Sequence, residues 1–280
     1  MAQFHVIAGA SEAPVYPEVR RIGVSDVAAA LRQGFDDFWD KPSHYVFLCL
    51  IYPIAGLVIA RWTSGANTLP LLYPLMSGFA LLGPLAAIGL YEISRRRELG
   101  LDTSWRHAFD VVRSPAIPSV MAVGILLFAI FIAWLLTAQA LYQNLFGAAV
   151  SRTIGEFISQ VFTTQEGLRL ILWGNLIGFG FALVVLCTSV VTFPLLLDRD
   201  VGAFPAIVTS IRSVLVNPVA MLLWGLIVAG LLVVGFVTLF AGLAIVIPVL
   251  GHGTWHLYRR VVEPDASMQA MRAERSVARS

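Results

Sequence analysis

Residues 217–250 read NPVAMLLWGLIVAGLLVVGFVTLFAGLAIVIPVL, without one ionisable side chain, and the reading of this run decides the fold. As one helix its 34 residues would be about 51 Å long at 1.5 Å rise per residue, well beyond a hydrocarbon core of roughly 30 Å. Glycines at 225, 230, 235 and 242 punctuate it. A tight hairpin near Gly235 turns one overlong helix into two spans, near 217–234 and 236–258.

Outward from this run, further apolar stretches near 43–60, 69–94, 117–141 and 169–197 bring the expected spans to six. Composition agrees: 58% of residues are hydrophobic and 13% charged, with a mean hydropathy of +0.80, against about 25% charged in a soluble domain. The net charge of +2 is too small to argue for nucleic acid as a partner, and its basic residues, in short clusters beside apolar runs, point to membrane lipid head groups. Residues 1–43 contain no basic segment followed by an apolar signal core, so the first span is expected to act as its own insertion signal. Cys49 and Cys187 fall inside expected spans, where cysteine behaves as a small apolar residue.

The basic residues orient the spans through the positive-inside rule. With six spans, sixteen basic residues fall on the inner side, and Arg61, Arg152 and Arg169 on the outer. A five-span chain moves the C-terminal arginines outside and loses most of that asymmetry. Both termini are therefore expected in the cytoplasm and the protein in a bacterial inner membrane, with tails at 1–21 and 263–280 around a membrane domain at 22–262.

Three related units, near 22–99, 100–200 and 201–262, are expected, each an inner amphipathic helix followed by two spans. Ala30-Leu-Arg-Gln-Gly34-Phe35 leads to Pro42, Ala206-Ile-Val-Thr-Ser210-Ile211 leads to Pro218 at the same distance, and Trp105-Arg-His-Ala108-Phe109 leads to Pro115 with one residue fewer after the aromatic. The ends of the second and sixth spans align without a gap: Pro84, Gly89, Tyr91 and Arg95-Arg96 beside Pro248, Gly253, Trp255 and Arg259-Arg260. Phe193-Pro194…Asp198-Arg199 repeats part of this in the fourth span. Val27, Leu31, Phe35, Phe38 and Trp39 form an apolar stripe on the first amphipathic helix, as do Phe204, Ile207, Ile211 and Val214 on the third. Both are expected to pack on the inner leaflet or against neighbouring spans. Residues 142–168 carry a further amphipathic helix, expected on the outer surface.

No phosphate-binding loop, Cys-x-x-Cys, His-Glu-x-x-His or Gly-x-Ser-x-Gly occurs. The candidate polar positions are those at or near membrane depth. Glu92 precedes Arg95 and Arg96 by three and four residues, the spacing of a local ion pair. His252 and His256 stand one turn apart, on one side of a helix, with no carboxylate or cysteine motif to complete a metal site. Asn175 lies in Gly174-Asn-Leu-Ile-Gly178, a spacing that permits close helix approach. The alignment of Pro84 with Pro248 pairs Glu92 with His256 and predicts one depth for both. No catalytic residue, metal ligand or cofactor is expected.

Taken with the opening Ile22-Gly-Val-Ser-Asp26…Gly34-Phe35-Asp36-Asp37 and the inner turn Ser94-Arg-Arg-Arg-Glu-Leu-Gly100, the pattern resembles the bacterial integral-membrane family named domain of unknown function 2189. The resemblance covers roughly residues 15–262. It implies a multi-span inner-membrane protein and brings no established activity. Some members carry the label cytochrome c oxidase subunit I, but five histidines in all are too few for a haem–copper core. The function expected is that of a non-enzymatic scaffold or accessory subunit contacting lipids and other inner-membrane proteins. The alternative is a transporter for a small or lipid-like solute.

Overall fold

The structure, a computed structural model, describes residues 16–40, 72–147, 154–238 and 240–264. The first expected span, the start of the second, Cys49, Arg61, Arg152 and both chain ends lie outside the described residues. Among the described residues the chain is helical, in the order α1 (Val24–Asp40), α2 (Leu72–Leu81), α3 (Gly83–Ala86), α4 (Ile88–Glu98), a 3₁₀ helix (Trp105–Arg113), α5 (Ile117–Phe146), α6 (Ile154–Thr163), α7 (Gln165–Ser189), α8 (Thr192–Asp198), α9 (Ala203–Val216), α10 (Pro218–Val237) and α11 (Leu243–Val261).

Among the described residues three stretches are long and apolar enough to cross a membrane: Ile117–Phe146, Gln165–Asp198 and Pro218–Val237. They coincide with expected spans at 117–141, 169–197 and 217–234. Proline opens two of them, at Pro118 and Pro218, where the missing N–H has no intrahelical partner to lose. Thr164 caps α7 by accepting the Gly167 N–H at 3.0 Å. The second expected span is described from residue 72 onward, as the three consecutive pieces α2, α3 and α4. The expected hairpin breaks at 238–242, just beyond Gly235. There Thr238 Oγ1 accepts the Gly242 N–H at 3.0 Å, and a Cβ on Gly242 would lie 3.1 Å from the Gly235 Cα.

At one end of the molecule α4, α8 and α11 touch one another, and each carries a short helix on its outer side: the 3₁₀ helix on α4, α9 on α8 and α1 on α11. The core lies here, with Leu90, Ile93, Phe193, Leu195, Trp255 and Tyr258 buried. The three contacts are close. A Cβ on Gly34 of α1 would lie 2.5 Å from the Gly253 nitrogen, and one on Gly89 would lie 3.0 Å from the Ala108 Cβ in the 3₁₀ helix. Between α8 and α9 small polar groups serve instead: Thr192 Oγ1 donates to the Ala206 carbonyl, and Ser210 Oγ accepts the Val191 N–H, each at 3.3 Å.

The buried faces of α1 and α9 differ from their apolar stripes. In α1, Val27, Ala30, Gly34, Asp37 and Phe38 are buried, whereas Phe35 is 48% and Trp39 67% exposed. In α9, Ala206, Thr209, Ser210, Ser213 and Val214 are buried, whereas Phe204 is 54% and Leu215 71% exposed. The reason is solvent: beside a bilayer the large apolar groups are stable facing outward, and close helix packing selects small residues instead.

The two described ends of the chain pair. Val19 and Val262 form an antiparallel bridge, with Arg20 N–H to the Val261 carbonyl at 2.7 Å and Glu263 N–H to the Glu18 carbonyl at 3.0 Å. Asn217 fixes the same segment from the other side, accepting the Ile22 N–H at 2.7 Å and donating to the Arg20 carbonyl at 2.9 Å.

Candidate functional site

The C-terminal ends of α4, α8 and α11 bring Glu98, Asp198 and Arg259 together. Arg259 Nε donates to Glu98 Oε2 at 2.7 Å and its NH1 to Asp198 Oδ2 at 2.9 Å. Its guanidinium lies over the rings of Trp255 and Tyr258, 5.2 and 5.6 Å from their centroids. Tyr258 Oη donates to Asp198 at 2.5 Å and Trp255 Nε1 to Glu98 at 3.3 Å, so both carboxylates are held from two sides. Arg20 donates to the Arg259 carbonyl at 2.6 Å and faces Glu263 at 3.4 Å. Arg199 donates to the Glu263 carbonyl and lies 3.5 Å from Asp198. Three guanidiniums thus meet three carboxylates where the helix ends and both described chain ends converge. Cations at helix C-termini also complement the macrodipole.

A second cluster joins α1 to this end. Asp37, buried in the contact of α1 with α11, accepts from Arg97 at 2.6 Å and shares a 2.9 Å hydrogen bond with His256 Nε2. Burial alone would raise its carboxyl. The hydrogen bond and charge of His256, the charge of His252 and the Arg97 hydrogen bond outweigh burial and hold Asp37 below its ordinary value. Arg97 also pairs with Asp40, and Arg260 with Asp26 and Gln33. On the 3₁₀ helix, hydrogen bonds to Asp110 and then Asp102 raise the His107 imidazole above its ordinary value.

The four sequence candidates separate. Glu92 is buried and paired with Arg95 at 2.9 Å and, more loosely, with Arg96 at 3.9 Å, the local arrangement its spacing predicts. His252 is buried with Nδ1 2.6 Å from Ser94 Oγ. His256, on the same helix, is engaged by Asp37 instead. Asn175 is far along α7, where its Oδ1 accepts from Tyr73 at 2.9 Å and its Nδ2 donates to the Ile171 carbonyl at 2.7 Å, tying α2 to α7. Gly178 in the same motif faces the Trp134 ring, which a Cβ added at that glycine would meet at 3.1 Å, so a large side chain rather than a helix backbone fills the small-residue notch. Leu90 against Gly251 and Ser94 against His252 put Glu92 beside the turn of His252. Glu92 and His256, aligned in the sequence, take different partners, Arg95 and Asp37.

Sequence reasoning missed Arg259 as a centre. The available signal was that Glu98 and Asp198 close two span ends while Arg259 stands at the third. Among the described residues no three His, Cys, Asp or Glu side chains converge to hold a metal ion. The arrangement is one of paired charges that binds helix ends to one another.

No curated protein and no solved structure matches this chain. A family model does, that of DUF2189, described as a predicted integral membrane protein, over residues 72–198. The turn Ser94–Gly100 that carried part of the resemblance lies within the match, and over this stretch the chain is similar to that family of predicted integral membrane proteins.

Proposed function

We propose that the chain is a six-span protein of the bacterial inner membrane, built of three units around α4, α8 and α11, with both termini in the cytoplasm. In this reading it serves as a non-enzymatic scaffold or accessory subunit for other membrane proteins. Side-chain contacts support the crossings. Asn217, at the start of α10, bonds Ile22 and Arg20, and Arg20 bonds the Arg259 carbonyl near the end of α11. Helix α10 leaves from that face, and α11 returns to it. Asp37 meets Arg97, so α1 and α4 end on the same face. The Pro74 carbonyl accepts from Trp134 Nε1 at 2.9 Å, about 25 Å along α5 from that face at 1.5 Å per residue. Residues 72–98 therefore cross in three pieces.

The three units are supported by equivalent packing. Gly253 and Gly89, aligned in the sequence, each receive the residue before an aromatic, Gly34 before Phe35 and Ala108 before Phe109. Ala206 and Ser210, aligned with Ala30 and Gly34, meet Thr192 and Val191. Each amphipathic segment rests on the even-numbered span of the preceding unit, and α1 closes the ring on the last.

The observation that carries the scaffold role is the outward face of the spans. Of the apolar windows of the three long spans, 28, 33 and 22% is buried inside the chain. Polar side chains within them close on their own backbones, as Thr137 does on the Ala133 carbonyl, Thr188 on Val184 and Ser189 on Val185. A broad apolar surface whose hydroxyl groups close on their own backbones suits contact with other helices. Photo-crosslinkers at the outward-facing Leu172 and Leu226 test this in native membranes. One protein adduct of constant mass from either position supports the role. Lipid adducts alone, with solute flux in proteoliposomes, would replace it by the transporter reading, which the interruptions at Leu82, Ala87 and Pro248 in the adjoining α2–α4 and α11 favour.

A further inference from the structure

The three short helices that flank the core each turn a similar stripe away from it. On α1, Arg32, Phe35 and Trp39 recur at helical spacing, and the two rings stack at 5.7 Å. On the 3₁₀ helix, with three residues per turn, Arg106, Phe109 and Val112 fall on one face, with Phe109 58% and Val112 73% exposed. On α9 the stripe is Phe204, Arg212 and Leu215. The opposite faces of these elements are closed by Gly34, Ala108 and Ser210. Each stripe thus combines one exposed arginine with two large apolar groups that the core does not cover. Arg32, Arg106 and Arg212 make no hydrogen bond or ion pair among the described residues.

The stripes of α9 and the 3₁₀ helix are continuous with the exposed apolar surface of the adjoining spans. Leu215 and Val216 run into Val219, Leu222 and Leu226 of α10, and Val112 is followed by Met121, Ile125 and Phe128 of α5, all exposed. A soluble face would not join aromatic rings to spans in this way, and a buried face would not leave its arginines without carboxylates. Amphipathic segments with aromatic and basic residues on one side sit at the boundary of head groups and acyl chains, with arginine reaching outward to phosphate.

We propose that the three stripes are anchors in the head-group layer of the cytoplasmic leaflet, each presenting its arginine to the phosphate of an anionic phospholipid. The inference rests on the proposed orientation, in which this end faces the cytoplasm. Full-length protein in mild detergent, incubated with phosphatidylglycerol or phosphatidylcholine of matched chains, is examined by native mass spectrometry. Wild type retains phosphatidylglycerol in preference. Arg32→Gln, Arg106→Gln and Arg212→Gln each lower that retention about fivefold, the effect of one basic residue at an anionic surface, with unchanged melting temperatures. In bilayers brominated near the carbonyl end, quenching of Trp emission contains a component that Trp39→Phe removes. Equal retention of the two lipids, a triple variant that retains phosphatidylglycerol like wild type, or a Trp39 that brominated lipid does not quench would overturn the proposal, the last because a protein partner then covers the stripe. Labelling of a cysteine at position 106 from outside intact cells would instead overturn the orientation, separately from any lipid preference.

Discussion

Gly34 and Gly253 meet backbone to backbone: a Cβ on Gly34 would lie 2.5 Å from the Gly253 nitrogen and 2.7 Å from its Cα. Neither backbone can retreat, because α1 is held along its length by α11 and at its end by the Asp37–Arg97 pair. Gly34→Ala is expected to destabilise the protein by about 1–3 kcal/mol, the range for overpacking. Gly180→Ala, which meets nothing within 4 Å, is expected to be neutral or stabilising through helix propensity. Thermal melts of the two variants in detergent check the contrast.

Arg259 sits between two carboxylates and over two rings, with its side chain 10% exposed. Removing it leaves Glu98 and Asp198 facing each other without their common cation. Arg259→Ala is expected to cost about 3–5 kcal/mol, the range for breaking one partner of a buried pair. Arg259→Lys is expected to recover little, since an ammonium does not span two carboxylates and stack on a ring together. Chemical denaturation of the purified variants measures both.

Asp37 gives stability an acid limb. A carboxylate whose folded value is depressed contributes fully above its unfolded value, roughly pH 4, and that contribution is lost as pH falls through the folded value. Melting temperature measured downward from pH 6 is expected to fall more steeply below about pH 4 in wild type than in Asp37→Asn, whose stability is already reduced at neutral pH. Identical acid limbs would remove Asp37 from the account.

Asn217 supplies one donor and one acceptor to the segment whose other side pairs with Val261–Glu263. Asn217→Ala leaves the Ile22 N–H and Arg20 carbonyl without that partner, at a cost of about 1–3 kcal/mol for buried groups. Hydrogen exchange is expected to accelerate at Ile22 while Val27 and Ala30, within α1, keep their protection.

Hydropathy and length made three spans legible, at 117–141, 169–197 and 217–234, because a bilayer sets the length an apolar helix needs. The break after Gly235 was legible for the same reason. The ion pair of Glu92 with Arg95 followed from spacing within one helix. The burial of α1 and α9 was legible only in part: Val27, Phe38 and Val214 of the apolar stripes are buried, whereas Phe35, Trp39 and Phe204 lie outside and the small residues Gly34, Ser210 and Ser213 inside, because apolar periodicity marks the inner face fully only when water is the solvent. The separation of His252 from His256 was equally hidden. Their partners, Ser94 and Asp37, come from two helices distant in sequence, and a spacing rule within α11 does not see them.

In the proposed topology six crossings return both ends of the chain to one face. Single cysteines placed at positions 40, 106, 200 and 263, and at 155 and 166, in a chain carrying Cys49→Ser and Cys187→Ser, test it directly with a membrane-impermeant thiol reagent on intact and permeabilised cells. The account predicts labelling of 155 and 166 in intact cells, and of 40, 106, 200 and 263 only after permeabilisation. Labelling of 40 or 263 in intact cells, or opposite behaviour of those two positions, would contradict it.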